Sequence, residues 1–156
     1  MSFHPYTEAD CEPDARWIGL IARPGPRSSM SRPLAGEAVP AGFPSPAEDY
    51  LEKTLDLNEH LVQRPEATFF VRVSGDSMVG AGIHHNDLLV VDRSQTPRPG
   101  NVVIACVDGE FTVKRLRKTE TGLELAPENS DYQPIAITPD TDFEVWGVVR
   151  HVVHKV

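Results

Sequence analysis

The run NVVIACVDGEFTVKRL, residues 101–116, admits few structures. Two stretches rich in β-branched and aromatic residues flank Asp108-Gly109, a pair suited to the type I′ turn that joins antiparallel strands. The segment therefore predicts a β-hairpin. TFFVRV, DLLVVD, TGLELAP and FEVWGVVRHVVHKV supply further strands, separated by turn residues. With many short strands, almost no helical pattern after residue 64 and no internal repeat, the expected fold is mainly β, a compact antiparallel, barrel-like body.

The beginning of the chain reads differently. Half of the fourteen prolines fall within the first 44 residues, beside RPGPRSSMSRP, and a segment so broken cannot pack a core. It is expected to be an extended arm, with the apolar patch Trp17–Ile21 lying down on the body as a short, detachable strand. After it, Ser45 can cap a helix with Pro46 at its first position and Glu48 completing the capping box, so that Leu51 and Leu55 share a face. A second short helical stretch is expected around LNEHLV, residues 57–62.

Composition narrows the function. At 156 residues the chain is about one domain in size. A net charge of −8 argues against holding nucleic acid by phosphate neutralisation, which needs clustered Lys and Arg. Cys11 and Cys106 are far apart and form no zinc spacing, which fits a reducing compartment. No apolar run approaches membrane-spanning length, and the N-terminus lacks a signal-peptide pattern, so a cytoplasmic protein is expected.

Candidate chemistry centres on Ser77, set in a turn after the strand VRV. A triad with His84 or His85 and Asp87 or Asp92 is one arrangement, but the sequence after Ser77 is not a nucleophile elbow and leads into a strand. His151 and His154 invite a metal reading, yet residues three apart on a strand face opposite ways unless a bulge intervenes. His84 and His85, neighbours in a turn, likewise diverge, so surface imidazoles and no metal are expected. Lys114 leaves two alternatives. In mid-strand with Thr112 and Leu116 on its face, it is either part of KRLRK guarding an exposed edge strand, or a general base. As a base it must be desolvated, because at an ordinary pKa only roughly one lysine in two thousand is neutral at pH 7. A neutral amine can deprotonate a serine, with backbone N–H groups around Ser77 as oxyanion donors.

SGDSM at residues 74–78, GIHHNDLLVVD at 82–92 and DGEFTVKRL at 108–116 together resemble the LexA-type self-cleaving serine peptidases. GFPSPAEDYLEK, LDLNEHLVQRPEATFFVRVSGDSM and GVVRHVV extend the similarity to the UmuD-like branch, accessory subunits of translesion DNA polymerases. The resemblance implies a LexA/signal-peptidase-like β body with Ser77 as nucleophile and Lys114, 37 positions on, as base. It implies self-cleavage at Ala41-Gly42, removing an arm of residues 1–41 from a body of residues 42–156. Ala35-Gly36 is the alternative bond in the arm, while Ala81-Gly82 lies beside the nucleophile and would be cut only on unfolding. The expected partners are a second copy in a homodimer, the RecA filament on single-stranded DNA and a UmuC-type polymerase. The arm is more proline-rich than in that branch, and the helix-turn-helix domain of LexA repressors is missing, so direct operator binding is not expected.

Overall fold

The computed structural model describes residues 19–22, 29–34, 41–42 and 53–156. In chain order the strands are β1 (Gly19–Ala22), β2 (Ser31–Leu34), β3 (Lys53–Asp56), β4 (Thr68–Arg72), β5 (Leu88–Asp92), β6 (Val102–Val107), β7 (Glu110–Thr119), β8 (Gly122–Ala126), β9 (Ile135–Ile137) and β10 (Phe143–Val153). One short helix, α1 (Leu57–Leu61), follows β3. The chain divides into two units, Met1–Pro24 with Arg64–Val156, and Gly25–Gln63.

The larger unit is an eight-stranded sheet in the order β1-β4-β5-β10-β6-β7-β8-β9, with every neighbouring pair antiparallel. Asp108 and Gly109 have φ of 49° and 81°, and Val107 pairs with Glu110, so the expected two-residue hairpin forms. All six strands anticipated after residue 64 are present, joined by β9, whose three residues carry too short a pattern to stand out. The apolar patch in the N-terminal segment contributes β1, which pairs with β4.

Two apolar clusters flank the sheet. Phe69, Val71, Leu89, Val91, Ile104 and Trp146 pack in one, while Val103, Ala105, Leu116, Leu125 and Val148 pack in the other. Strand alternation sends Ile104 one way and its neighbours Val103 and Ala105 the other. In β10 this alternation is reset by two register shifts, between Val145 and Gly147 against β6 and between Val149 and His151 against β5. The first bulge turns Trp146 into the cluster opposite Val145 and Val148, where it meets Phe69 and Phe111 edge-on. Gly147 is required beside it, because a Cβ there would sit 2.6 Å from Val91 Cγ1.

The smaller unit pairs β2 with β3 and ends in α1. Asp56 caps this helix, its carboxylate accepting the N–H of Asn58 at 2.8 Å and that of Met30 at 2.7 Å. The helix at LNEHLV is as expected. The preceding one is corrected at its end: Lys53–Asp56 is a strand, so no helix carries Leu51 through to Leu55, and the proposed start at Ser45, Pro46 and Glu48 lies outside the described residues. Backbone pairing with Ser31–Leu34 outweighs the weak helical pattern there. Among the described residues no helix is long and apolar enough to cross a membrane.

Candidate active site

The segment between β4 and β5 is held at both ends and pinned in the middle. Val73 donates its N–H to the Asp87 carbonyl at 2.9 Å and accepts the Asn86 N–H at 2.9 Å. Met78 and Ile83, each 2 % exposed, plunge into the core between them. Ser77 precedes buried Met78, so the burial of one side chain fixes the backbone that presents the other. A second strap crosses from the loop after β8: the Glu128 N–H donates to the Ser77 carbonyl at 2.9 Å, and the Gly80 N–H donates to the Glu128 carbonyl at 2.7 Å. A Cβ on Gly80 would stand 2.5 Å from that carbonyl oxygen, so the approach needs glycine. Tyr132 O–H donates to Asp76 Oδ1, and Asn129 Nδ2 donates to the Asp76 carbonyl at 3.1 Å.

β7 brings Lys114 to this turn. It pairs with β6 on one side and β8 on the other, with Lys114 opposite Val103. The edge-strand reading of KRLRK is therefore corrected: β7 is an interior strand, and its arginines have partners. Arg115 Nε donates to Glu128 Oε1 at 2.5 Å and Arg117 lies 3.7 Å from the same oxygen. Arg115 also donates to the Gly100 carbonyl at 2.7 Å. One strand thus carries Lys114 and, through Arg115, anchors the loop that straps the Ser77 turn.

Lys114 is 8 % exposed. Its Nζ lies 2.9 Å from Ser77 Oγ, 2.9 Å from Thr112 Oγ1 and 3.1 Å from the Val113 carbonyl. None of these is a carboxylate, and no salt bridge among the described residues includes Lys114. Burial without a counter-charge pushes its pKa below the ordinary 10.5. In the neutral form the amine can donate to Thr112 Oγ1 and the Val113 carbonyl while its lone pair accepts the Ser77 hydroxyl proton. The two side chains open into a cleft whose lining is apolar at Val71, Val73, Ile104, Phe111 and Val113 and polar at Ser74, Asp76, Thr112 and Tyr132. The N–H groups of Ser77 and Met78, in the same turn, enter none of the hydrogen bonds among the described residues.

The histidines assemble elsewhere. His85 Nδ1 accepts the Gly75 N–H at 3.2 Å, and Asp92 accepts both donors of Ser94, so no Ser-His-Asp arrangement forms at Ser77. His154 joins His84 around the buried Asp87, and His151 stays apart from this group. Burial raises the Asp87 carboxyl, but the His84 N–H and the His154 and His84 rings more than offset it and leave its pKa below the ordinary value. Sequence reasoning missed Glu128, whose strap on the Ser77 turn runs through backbone groups while its carboxylate takes Arg115, and it missed that His154 meets Asp87 across 67 positions. Ala41 and Gly42 are exposed, and Ala35-Gly36 lies outside the described residues. Ala81 and Gly82 are locked in a tight turn by N–H bonds to Met78 and Val79 carbonyls.

A mainly β body that sets a serine hydroxyl against a buried lysine amine has the parts a serine peptidase needs, and the comparisons supply the class. Residues 33–150 match the Peptidase S24-like family, and the chain belongs to it. It is 50 % identical to Protein SamA of Salmonella typhimurium over 136 residues, 87 % of this chain and 94 % of SamA. Protein MucA of Escherichia coli is 48 % identical over 135 residues, covering 86 % and 92 %. LexA repressor 1 of Xanthomonas campestris is 39 % identical over 141 residues, 90 % of this chain and 69 % of the repressor. The family resemblance drawn from the sequence is thereby borne out.

Proposed function

We propose that this chain is a self-cleaving serine peptidase of the SOS mutagenesis response, with Ser77 as nucleophile and Lys114 as general base. The observation that carries the reading is the 2.9 Å contact between Ser77 Oγ and a buried lysine amine that has only neutral acceptors. Neutral Lys114 takes the Ser77 proton as Oγ attacks the Ala41 carbonyl carbon. The N–H groups of Ser77 and Met78 receive the oxyanion. The resulting ammonium returns its proton to the Gly42 nitrogen as the peptide bond breaks, and water then hydrolyses the acyl-enzyme with the same lysine as base. A small residue followed by glycine suits close backbone approach to the serine.

Cleavage separates residues 1–41 from residues 42–156, which become the working form. By the family resemblance the trigger is the RecA filament on single-stranded DNA, the product a homodimer, and its partner a UmuC-type translesion polymerase. The test is incubation of the purified chain at pH about 10, where Lys114 loses its proton without any partner. Fragments of the masses set by the Ala41-Gly42 bond are expected, and none from Ser77→Ala. An intact chain at that pH and with RecA filaments refutes the peptidase reading, and a product beginning at Gly36 reassigns the bond.

A further inference from the structure

On the larger unit, apart from the Ser77 cleft, three groups with no part in peptide cleavage converge. We propose that His84, Asp87 and His154 form a binding site for a divalent transition-metal ion of the Zn2+, Co2+ and Ni2+ class. One ligand atom from each residue lies within 4.8 Å of the others. His154 Nδ1 is 2.6 Å from Asp87 Oδ1, and His84 Nδ1 is 3.7 Å from Asp87 Oδ2. Ligand atoms of a tetrahedral ion bound at about 2.1 Å stand roughly 3.4 Å apart, within the span seen here. Modest rotation of the rings therefore closes the shell around an ion, with water in the fourth position.

The site is built around its carboxylate. Asp87 is 3 % exposed, and its Oδ2 accepts the His84 N–H at 2.7 Å, the kind of outer hydrogen bond that orients a ligating carboxylate. The backbone of Asp87 donates to the His84 carbonyl at 3.1 Å and accepts from Val73 at 2.9 Å. The imidazoles, by contrast, are 47 % and 44 % exposed, so an ion can enter from solvent and the rings can adjust to it. Their centroids are 4.9 Å apart. The two rings arrive by different routes: His84 is held to Asp87 by the turn they share, through its N–H on Oδ2, while His154 reaches the same carboxylate from the end of β10. A shared metal ion uses all three. Two imidazole nitrogens and one carboxylate favour zinc, cobalt or nickel over magnesium or calcium, which take all-oxygen shells.

The connectivity gives the ion a structural effect. His154 follows Val153, which pairs with Leu88 just after Asp87, so the ion would pin the end of β10 to the start of β5. The same segment carries His85, bonded to Gly75 in the Ser77 turn. Metal binding therefore bears on the C-terminal end and the turn together.

The test uses the full chain carrying Ser77→Ala, so that self-cleavage cannot alter the sample. Addition of Co2+ is expected to give a d–d absorption band saturating at one ion per chain, displaced by Zn2+ and not by Mg2+. Zn2+ should raise the melting temperature. His84→Gln and His154→Gln, both on exposed rings, should each weaken Co2+ binding by at least about tenfold and abolish the thermal shift. His60→Gln, in the smaller unit, should leave both unchanged. Failure to bind Co2+ or Zn2+ at about 1 mM overturns the proposal. So does unweakened binding in the His84→Gln, His154→Gln double variant.

Discussion

The sheet of the larger unit and the β2–β3 pair of the smaller one are both antiparallel β-structure, yet they are held by different forces. In the sheet, Leu89, Val91, Val103, Ala105 and Leu125 are all 0 % exposed, so a one-residue slip would turn core side chains to solvent. In β2 all four residues are exposed, as are Lys53 and Thr54 of β3, and pairing rests on backbone bonds with Asp56 tying the end. A two-stranded pair of that kind is marginal in water by itself. The proposed catalytic residues sit on the first kind of structure, and the proposed scissile bond Ala41-Gly42 lies in the segment between β2 and β3, on the second. A self-cleaving chain needs this division, because the attacking groups must be fixed while the substrate segment must be able to change conformation.

The sharpest test of the fixed side is Lys114→Met, which keeps the bulk and removes the amine. Self-cleavage at pH 10 should fall by about a thousandfold or more, read as fragment per hour on a gel. In the parent chain the cleavage rate should rise with pH as the buried amine loses its proton. Stability follows with a defined sign. Because the folded pKa of Lys114 lies below 10.5, the unfolded chain binds this proton more readily, and stability should rise with pH through the window between the folded value and 10.5. The difference in urea midpoint between parent and Lys114→Met should shrink or reverse across that window. A pH-independent difference would mean that the lysine is not desolvated.

Trp146→Ala tests whether burial is what holds the sheet. At 4 % exposed, packed edge-on against Phe69 and Phe111 under the Arg93 guanidinium, the indole should be worth about 3–5 kcal/mol in urea unfolding of the larger unit. A loss below about 1 kcal/mol would equate the sheet with the exposed pair and remove the contrast.

Trp146 also marks where the sequence stopped being legible. The Asp108-Gly109 hairpin could be read because two successive positive φ angles demand those residues, and the buried strands because their apolar runs are dense. Period-two reading fails in β10, since each bulge moves the following residues to the other face without any change in composition. It also left Lys114 divided between edge guard and base, because only the pairing of β7 with β8 distinguishes an interior strand from an edge. Exposed β2 and half-exposed β3 carry no alternation, so Lys53–Asp56 resembled the end of a helix. The Glu128 strap works through an N–H and a carbonyl that every residue possesses.

That strap gives a smaller effect on the fixed side. Gly80→Ala must displace the Glu128 carbonyl or the Ser77 turn, because the added Cβ would lie 2.5 Å from its oxygen. The cost in stability should be about 1–3 kcal/mol, and self-cleavage should slow by roughly a hundredfold as Ser77 shifts against Lys114. Normal cleavage with reduced stability would show that the turn holds its geometry without the strap.

The smallest effect belongs to the marginal side. Asp56→Ala removes the acceptor for the N–H groups of Asn58 and Met30, which together cap α1 and close β2 against β3. Amide exchange at Asn58 and Met30 should quicken several-fold, while exchange in β5 and β6 stays unchanged because, among the described residues, none of β5 or β6 uses this carboxylate as its partner. Bonding from the Met30 N–H, with that from Asn58, holds the Asp56 carboxyl below its ordinary value of 3.8. The caps are therefore intact above that value and are lost as pH falls through the lowered one, so acidification of the parent should reproduce the exchange pattern of Asp56→Ala. If exchange instead quickens across both units, the two kinds of β-structure unfold together and the substrate segment is as fixed as the site that would cut it.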